Sequence, residues 1–224
     1  MEKELKHIER IDSIENESEY VKRCFTAMRM LAANPNIVRN TEANNSFMLE
    51  RNYILSMVYI MGKSDYLREN TNMEFGTEPC HCFVGGETNK HIQVLDMNIE
   101  KICEELNFAI KDDKIEVIPD LVIHDSHNPL AGNTKEGQYL ALEAKTTKRL
   151  GQYYFNRDFF KLNLYLAGFH FQNAVYLVIN KSVITIDDYI GTYMANHYCL
   201  YCDLKRKVRF FIQENDVPEM YKLK

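Results

Sequence analysis

The sequence predicts an α/β fold: helices packed on a mixed central sheet, preceded by an additional helical N-terminal region. Three features predict it. Helical spacing of apolar residues dominates the first hundred positions. Two short strand-like segments, joined by a polar loop, occupy 121–145. An aromatic-rich helical stretch then leads into the wholly apolar run AVYLVI at 174–179, the pattern of a strand buried on both faces.

Taken in order, residues 17–33 place Val21, Cys24, Phe25, Met28 and Leu31 at i, i+3, i+4 spacing, and Asn34-Pro35-Asn36 stops the helix. Residues 45–61 form a second helix with Phe47, Ile54, Leu55, Val58 and Met61 on one stripe. The polar stretch 63–95, with Pro79 and Gly85-Gly86, reads as loops with a short strand pair. Residues 97–110 form a third helix, with Ile99, Ile102, Cys103, Leu106 and Ile110 inward and three acids outward.

A short apolar run, 115–118, precedes Pro119 and the strand-like DLVIH. After a loop with Pro129, Gly132 and Gly137 comes the strand YLALEAK, 139–145. Residues 152–168 are an amphipathic helix carrying Phe155, Phe159, Phe160, Leu162, Leu164 and Leu166. A helix near 187–195 and a C-terminal hairpin complete the order. We therefore expect one domain over 1–224: a mostly helical N-terminal region (1–95), a core (96–180), and a C-terminal helix and hairpin (181–224).

Composition narrows the function classes. Of 224 residues, 46% are hydrophobic and 26% charged, which excludes a disordered chain; nine Gly and five Pro exclude collagen-like material. No run of about 18 apolar residues suggests a membrane span. The opening MEKELKHIERIDSIENESEY is charged and has no apolar signal core, so a cytoplasmic, reducing setting is expected. The formal charge of −5 speaks against coating nucleic acid by bulk charge. That charge is uneven, however: residues 145–224 carry 12 Lys/Arg against 7 Asp/Glu, and residues 1–144 carry 15 against 25. The basic C-terminal third suits a polyanionic partner.

Cys80-His81-Cys82 and the group His197, Cys199 and Cys202 contain zinc-ligand types. On a strand, Cys199 and Cys202 point to opposite faces, and no Gly or Pro marks a knuckle turn, so buried thiols are the plainer expectation. Gly85-Gly86 lacks the Lys-Ser/Thr of a phosphate-binding loop.

The strand 139–145 is the most informative segment. Leu140, Leu142 and Ala144 share one face; Ala141, Glu143 and Lys145 share the other. A carboxylate and an ammonium thus leave an otherwise apolar strand side by side, and burying either is costly unless it is paired or binds metal. Asp120 begins the preceding strand. If the two strands are neighbours, Asp120 lies beside Glu143, and a divalent cation between them would relieve their repulsion. Lys145 could then orient or deprotonate a water, or offset charge on a phosphate. His124 and His127 flank Asp125; by strand parity His124 shares the face of Asp120, while Asp125 has the opposite parity and reads as a turn residue. The basic cluster Lys205-Arg206-Lys207-Arg209 reads as a hairpin tip.

Pro119-Asp120 followed by Glu143-Ala144-Lys145, within IPDLVIHD and YLALEAK and ahead of an aromatic helix and AVYLVIN, resembles the PD-(D/E)XK nuclease superfamily over about residues 114–180. The resemblance implies a restriction endonuclease-like fold. It implies Asp120 and Glu143 as metal ligands, the Ala144 carbonyl completing the set, and Lys145 as the catalytic lysine. Glu50 corresponds to the helical Glu many members place before the core, although a Glu salt-bridged near Arg51 is the plainer alternative. Lys161 and Tyr165, one turn apart, correspond to a polar position on the following helix and would meet substrate, as would Thr146, Thr147, Lys148 and Arg149. The implied cofactor is Mg²⁺, with Mn²⁺ substituting. The implied partner is DNA rather than a membrane, and many members act as homodimers. Implied, then, is a metal-dependent nuclease; a non-catalytic nucleic-acid- or protein-binding module retaining the fold is the alternative, and a zinc-containing structural protein a third.

Overall fold

The structure is a computed structural model. It describes residues 4–34, 50–62, 73–77, 90–93, 97–111, 114–125, 137–146, 150–167, 169–196 and 204–224. The strands are β1 (Ile8–Arg10), β2 (Met73–Thr77), β3 (Lys90–Gln93), β4 (Ile110–Lys111), β5 (Lys114–Val117), β6 (Leu121–Asp125), β7 (Gln138–Lys145), β8 (Asn173–Ile179), β9 (Val208–Glu214) and β10 (Val217–Leu223). The helices are α1 (Glu19–Ala32), α2 (Glu50–Gly62), α3 (Met97–Glu105), α4 (Gln152–Ala167), α5 (Val183–Ala195) and the short α6 (Leu204–Lys207).

Seven strands form one mixed sheet in the order β1-β10-β9-β8-β7-β6-β2. β8 lies parallel to both β7 and β9, and every other pairing is antiparallel. Helices flank both faces. Strand alternation divides the core accordingly. On one face Leu140, Leu142, Ala144, Val175 and Leu177 meet Val21, Phe25 and Met28 of α1 and Tyr53, Ile54 and Met57 of α2. On the other, Ala141, Ala174, Tyr176, Val178 and Phe210 meet Phe155, Phe159 and Phe160 of α4 and Ile186, Ile190 and Tyr193 of α5. β8 is central and covered on both sides, which is why its sequence is apolar without alternation.

Local chemistry sets the element ends. The side chain of Ser18 accepts from the Val21 N–H and begins α1; that of Ser182 accepts from the Thr185 N–H and begins α5, four residues before the expected start. Asn215 and Asp216, both at positive φ (52° and 65°), form the two-residue turn joining β9 to β10. The expected hairpin tip at Lys205-Arg206-Lys207-Arg209 is thereby corrected: these residues form α6 and enter β9, because the left-handed conformation the turn needs is supplied by Asn-Asp.

Three further expectations change. The third helix ends at Glu105, and Ile110, expected inward, lies on β4 and is 39% exposed. Asn107, at positive φ of 55°, breaks the helix. Leu55 of α2 is exposed rather than part of the apolar stripe, which runs through Tyr53, Ile54, Met57 and Met61. The strands of 63–95 are not a pair: β2 joins β6 in the large sheet, while β3 joins β5 and β4 in a separate three-stranded sheet. β1 was not expected at all. It closes the sheet edge against β10, and the buried carboxylate of Asp187 holds its approach by accepting from the N–H groups of Lys6, His7 and Ile8 at 2.8, 2.7 and 2.9 Å.

No helix among the described residues is long and apolar enough to cross a membrane.

Candidate functional site

Antiparallel pairing of β6 with β7 sets Leu121 opposite Leu142 and Val122 opposite Ala141, so Asp120, one step further, faces Glu143. The Asp120 N–H donates to the Leu142 carbonyl at 3.1 Å. Its carboxylate accepts from the Ala144 N–H at 2.7 Å. Asp120 is therefore fixed against the middle of the Glu-Ala-Lys segment by backbone at both ends.

Glu143 points to the α4 face and is completely buried. The Lys161 ammonium donates to one of its oxygens and the Tyr165 hydroxyl to the other, the latter at 2.7 Å. Lys161 and Tyr165, expected against substrate, thus stand one turn apart on α4 and clasp Glu143. Burial pushes the Glu143 carboxyl above its ordinary range, and the nearby Asp120 and Asp158 add to this against the pull of Lys161 and Lys145. Burial draws Lys161 down, but Glu143, Asp158 and Asp120 outweigh it and hold the ammonium charged. Both groups shift upward, Glu143 because it is fully buried and Lys161 because carboxylates surround it. Burial and the Glu143 charge raise the Tyr165 hydroxyl well above its usual value, so it remains a donor.

Lys145, at the end of β7, meets Glu50 at 2.9 Å and Asp158 at 3.4 Å. Burial lowers its proton affinity, but Asp158, Asp120, Glu50 and Glu143 together hold it above an ordinary lysine. Glu50 opens α2 on the opposite face of the sheet from α4. The two helical layers therefore converge on Lys145 where the strand ends. Burial raises the Glu50 carboxyl, partly countered by Lys145.

Asp158 was not singled out from the sequence. It is buried on α4, at 3.4 Å from Lys145 and 3.6 Å from Lys161, and is the carboxylate that both lysines share. The signal was available: Asp158, Lys161 and Tyr165 sit at i, i+3 and i+7, a polar stripe through a helix otherwise rich in Phe and Leu.

The remaining expected residues divide. Thr146 is buried, and its carbonyl accepts from the Asn180 side chain at 3.5 Å. His124 is buried; the β6–β7 register shift beside it skips Tyr139 on β7, while β6 itself pairs regularly with β2 through His124. Phe47, Cys80, His81, Cys82, His127, Thr147, Lys148, Arg149, His197, Cys199 and Cys202 lie outside the described residues.

Four carboxylates (Glu50, Asp120, Glu143, Asp158) and two ammonium groups (Lys145, Lys161) thus form one coupled cluster with negative charge in excess. Its hard oxygen donors suit the chemistry of a magnesium ion. They are not a ready-made cage: among the described residues no group of three or more His, Cys, Asp or Glu is arranged to hold a metal ion. The two lysines hold Glu143 and Glu50 instead.

No family model, curated protein or solved structure matches this chain.

Proposed function

We propose that this chain is a metal-dependent nuclease of the PD-(D/E)XK type, with a restriction endonuclease-like core, hydrolysing phosphodiester bonds in DNA. The observation that carries the proposal is the Asp120 carboxylate on the Ala144 N–H, at the end of the strand that presents Glu143 and Lys145. Asp120, 23 positions before Glu143 and 25 before Lys145, meets their strand at the same end.

Asp120, Glu143 and Glu50, with the Ala144 carbonyl, would hold a Mg²⁺ or Mn²⁺ ion. Such an ion, when bound, supplies positive charge to the phosphate and makes a nearby water more acidic. The protein's own groups do the rest. Lys161 and Tyr165 fix the orientation of Glu143. The Ala144 N–H fixes Asp120. Lys145, already among carboxylates as a cation, offsets charge that builds on a non-bridging phosphate oxygen. Asp158 meets both ammonium groups and ties Lys145 to Lys161.

The test is incubation with linear, circular and single-stranded DNA in Mg²⁺ or Mn²⁺. Cleavage by the wild type, abolished in Glu143→Ala and Lys145→Ala, supports the proposal. No cleavage, or equal cleavage by both variants, overturns it.

A second reading draws on the same ion pairs. Lys145 and Lys161 already pair with Glu50 and Glu143, so the cluster can serve structure without turnover, in a binding module. Titration calorimetry with Mn²⁺ separates the two. DNA binding without metal binding favours the module.

A further inference from the structure

We infer that Tyr154 is a stacking position for an unpaired base, so that the preferred substrate of this site is single-stranded DNA or the frayed end of a duplex. The inference rests on the nuclease or nucleic-acid-binding assignment of the cluster and specifies its substrate.

The argument follows one face of α4. Tyr154, Asp158, Lys161 and Tyr165 stand at i, i+4, i+7 and i+11, so they share a narrow stripe. Over the sheet that stripe is buried and polar: Tyr165 and Lys161 reach Glu143, and Asp158 reaches Lys145. One turn further toward the helix N-terminus, Tyr154 emerges at 59% exposure. The stripe therefore runs from the floor of the charged cluster directly into solvent. Helical side chains lean toward the N-terminus, which carries the Tyr154 ring further outward.

The ring is also braced. Tyr153 lies edge-on to it, with centroids 5.5 Å apart and planes at 75°. Tyr153 itself is anchored through its hydroxyl to the Leu106 carbonyl at 3.1 Å. A braced, exposed ring beside phosphate-directed chemistry suits a base face. Stacking needs no sequence readout, because every base has a π-face, but it does need the base to be unpaired. A base within a continuous duplex keeps its neighbours and gains nothing from the ring.

The experiment compares wild type, Tyr154→Ala and Tyr154→Phe, binding a single-stranded oligonucleotide and a blunt duplex of the same sequence, both carrying 2-aminopurine, in Ca²⁺. Unchanged melting temperatures establish that the exposed position leaves the fold intact. Tyr154→Ala should lose roughly 5-fold to 100-fold in affinity for the single strand. Tyr154→Phe should stay within about twofold, and duplex affinity should barely move. Quenching of 2-aminopurine fluorescence should accompany wild-type binding and disappear in Tyr154→Ala. Equal single-strand affinity in Tyr154→Ala, equal losses on both substrates, or no single-strand binding by the wild type would each overturn the inference. Cleavage by wild type with Mg²⁺ is scored separately. A wild type that cleaves while Tyr154→Ala binds normally retires the stacking position and leaves the nuclease. A wild type that binds through Tyr154 but cleaves nothing retires turnover and leaves the stacking position.

Discussion

The ammonium of Lys161 on α4 hydrogen-bonds the carboxylate of Glu143 on β7, tying the helix to the strand inside the core. Glu143 is wholly buried, so the cost of its charge is met by this helix. The pair supports both the packing of α4 and the geometry of the proposed site.

Removing one partner strands the other. Lys161→Met should destabilise the protein by about 3–5 kcal/mol. Lys161→Met combined with Glu143→Gln should recover much of that loss, giving a strongly coupled double-mutant cycle in denaturant unfolding. Additive losses would show that the two side chains do not interact.

Asp158→Asn keeps the shape of the side chain and removes the charge shared by Lys145 and Lys161. We expect a loss of about 1–3 kcal/mol in stability. If the nuclease proposal holds, DNA cleavage should fall by at least about tenfold, the effect of misplacing a positioned cation. Wild-type cleavage by Asp158→Asn would remove it from the site.

Asp187 accepts from three successive N–H groups at residues 6–8. Asp187→Ala should cost about 2–4 kcal/mol, since three N–H groups, that of buried Ile8 among them, lose a charged acceptor. Amide hydrogen exchange at residues 6–8 should accelerate far more than exchange in β8. Unchanged protection at β1 would mean that the strand holds without this clamp.

Cys24 and Cys103 are free thiols, buried, and both are shifted upward. Burial drives Cys24 to about 12 against a small opposing pull from Arg23; burial, reinforced by Glu100, drives Cys103 to about 11. A raised value means less thiolate at any given pH, so both thiols react slowly in the native protein. Peptide mass spectrometry after brief alkylation at pH 8 should find both unmodified in the native protein and modified in denaturant. Rapid native labelling of Cys24 would contradict its packing against Met61, 3.7 Å from sulfur to sulfur.

Much of this arrangement was legible in the chain. The periods of 19–32, 152–167 and 173–179 follow from which face each element buries, and that signal is local. YLALEAK announced its own charged face through alternation alone. Asp120, Glu143 and Lys145 were singled out because a buried charge demands a partner, whereas Glu50 entered only through the family resemblance. What the partners are was less legible. Lys161 and Tyr165 look, on a helical wheel, like a solvated face; only the position of α4 over β7 turns them toward Glu143.

Other features depended on pairings that no local pattern encodes. β1 meets β10 across nearly the whole chain, and three residues of charged sequence carry no strand signal by themselves. The irregularity in β7, whose pairing with β6 passes from Leu140 to Gln138, carries no local signal either. The amino-acid sequence by itself determined the helices, the central strands and the short list of charged residues that must find partners, because periodicity and desolvation act residue by residue. Only the tertiary structure decided that the Asp120 carboxylate meets the Ala144 N–H, that Asp158 joins two lysines and that Tyr154 is exposed one turn before Asp158. Those relations arise where separate strands and layers meet, and the choice of partner is a property of the whole packed core.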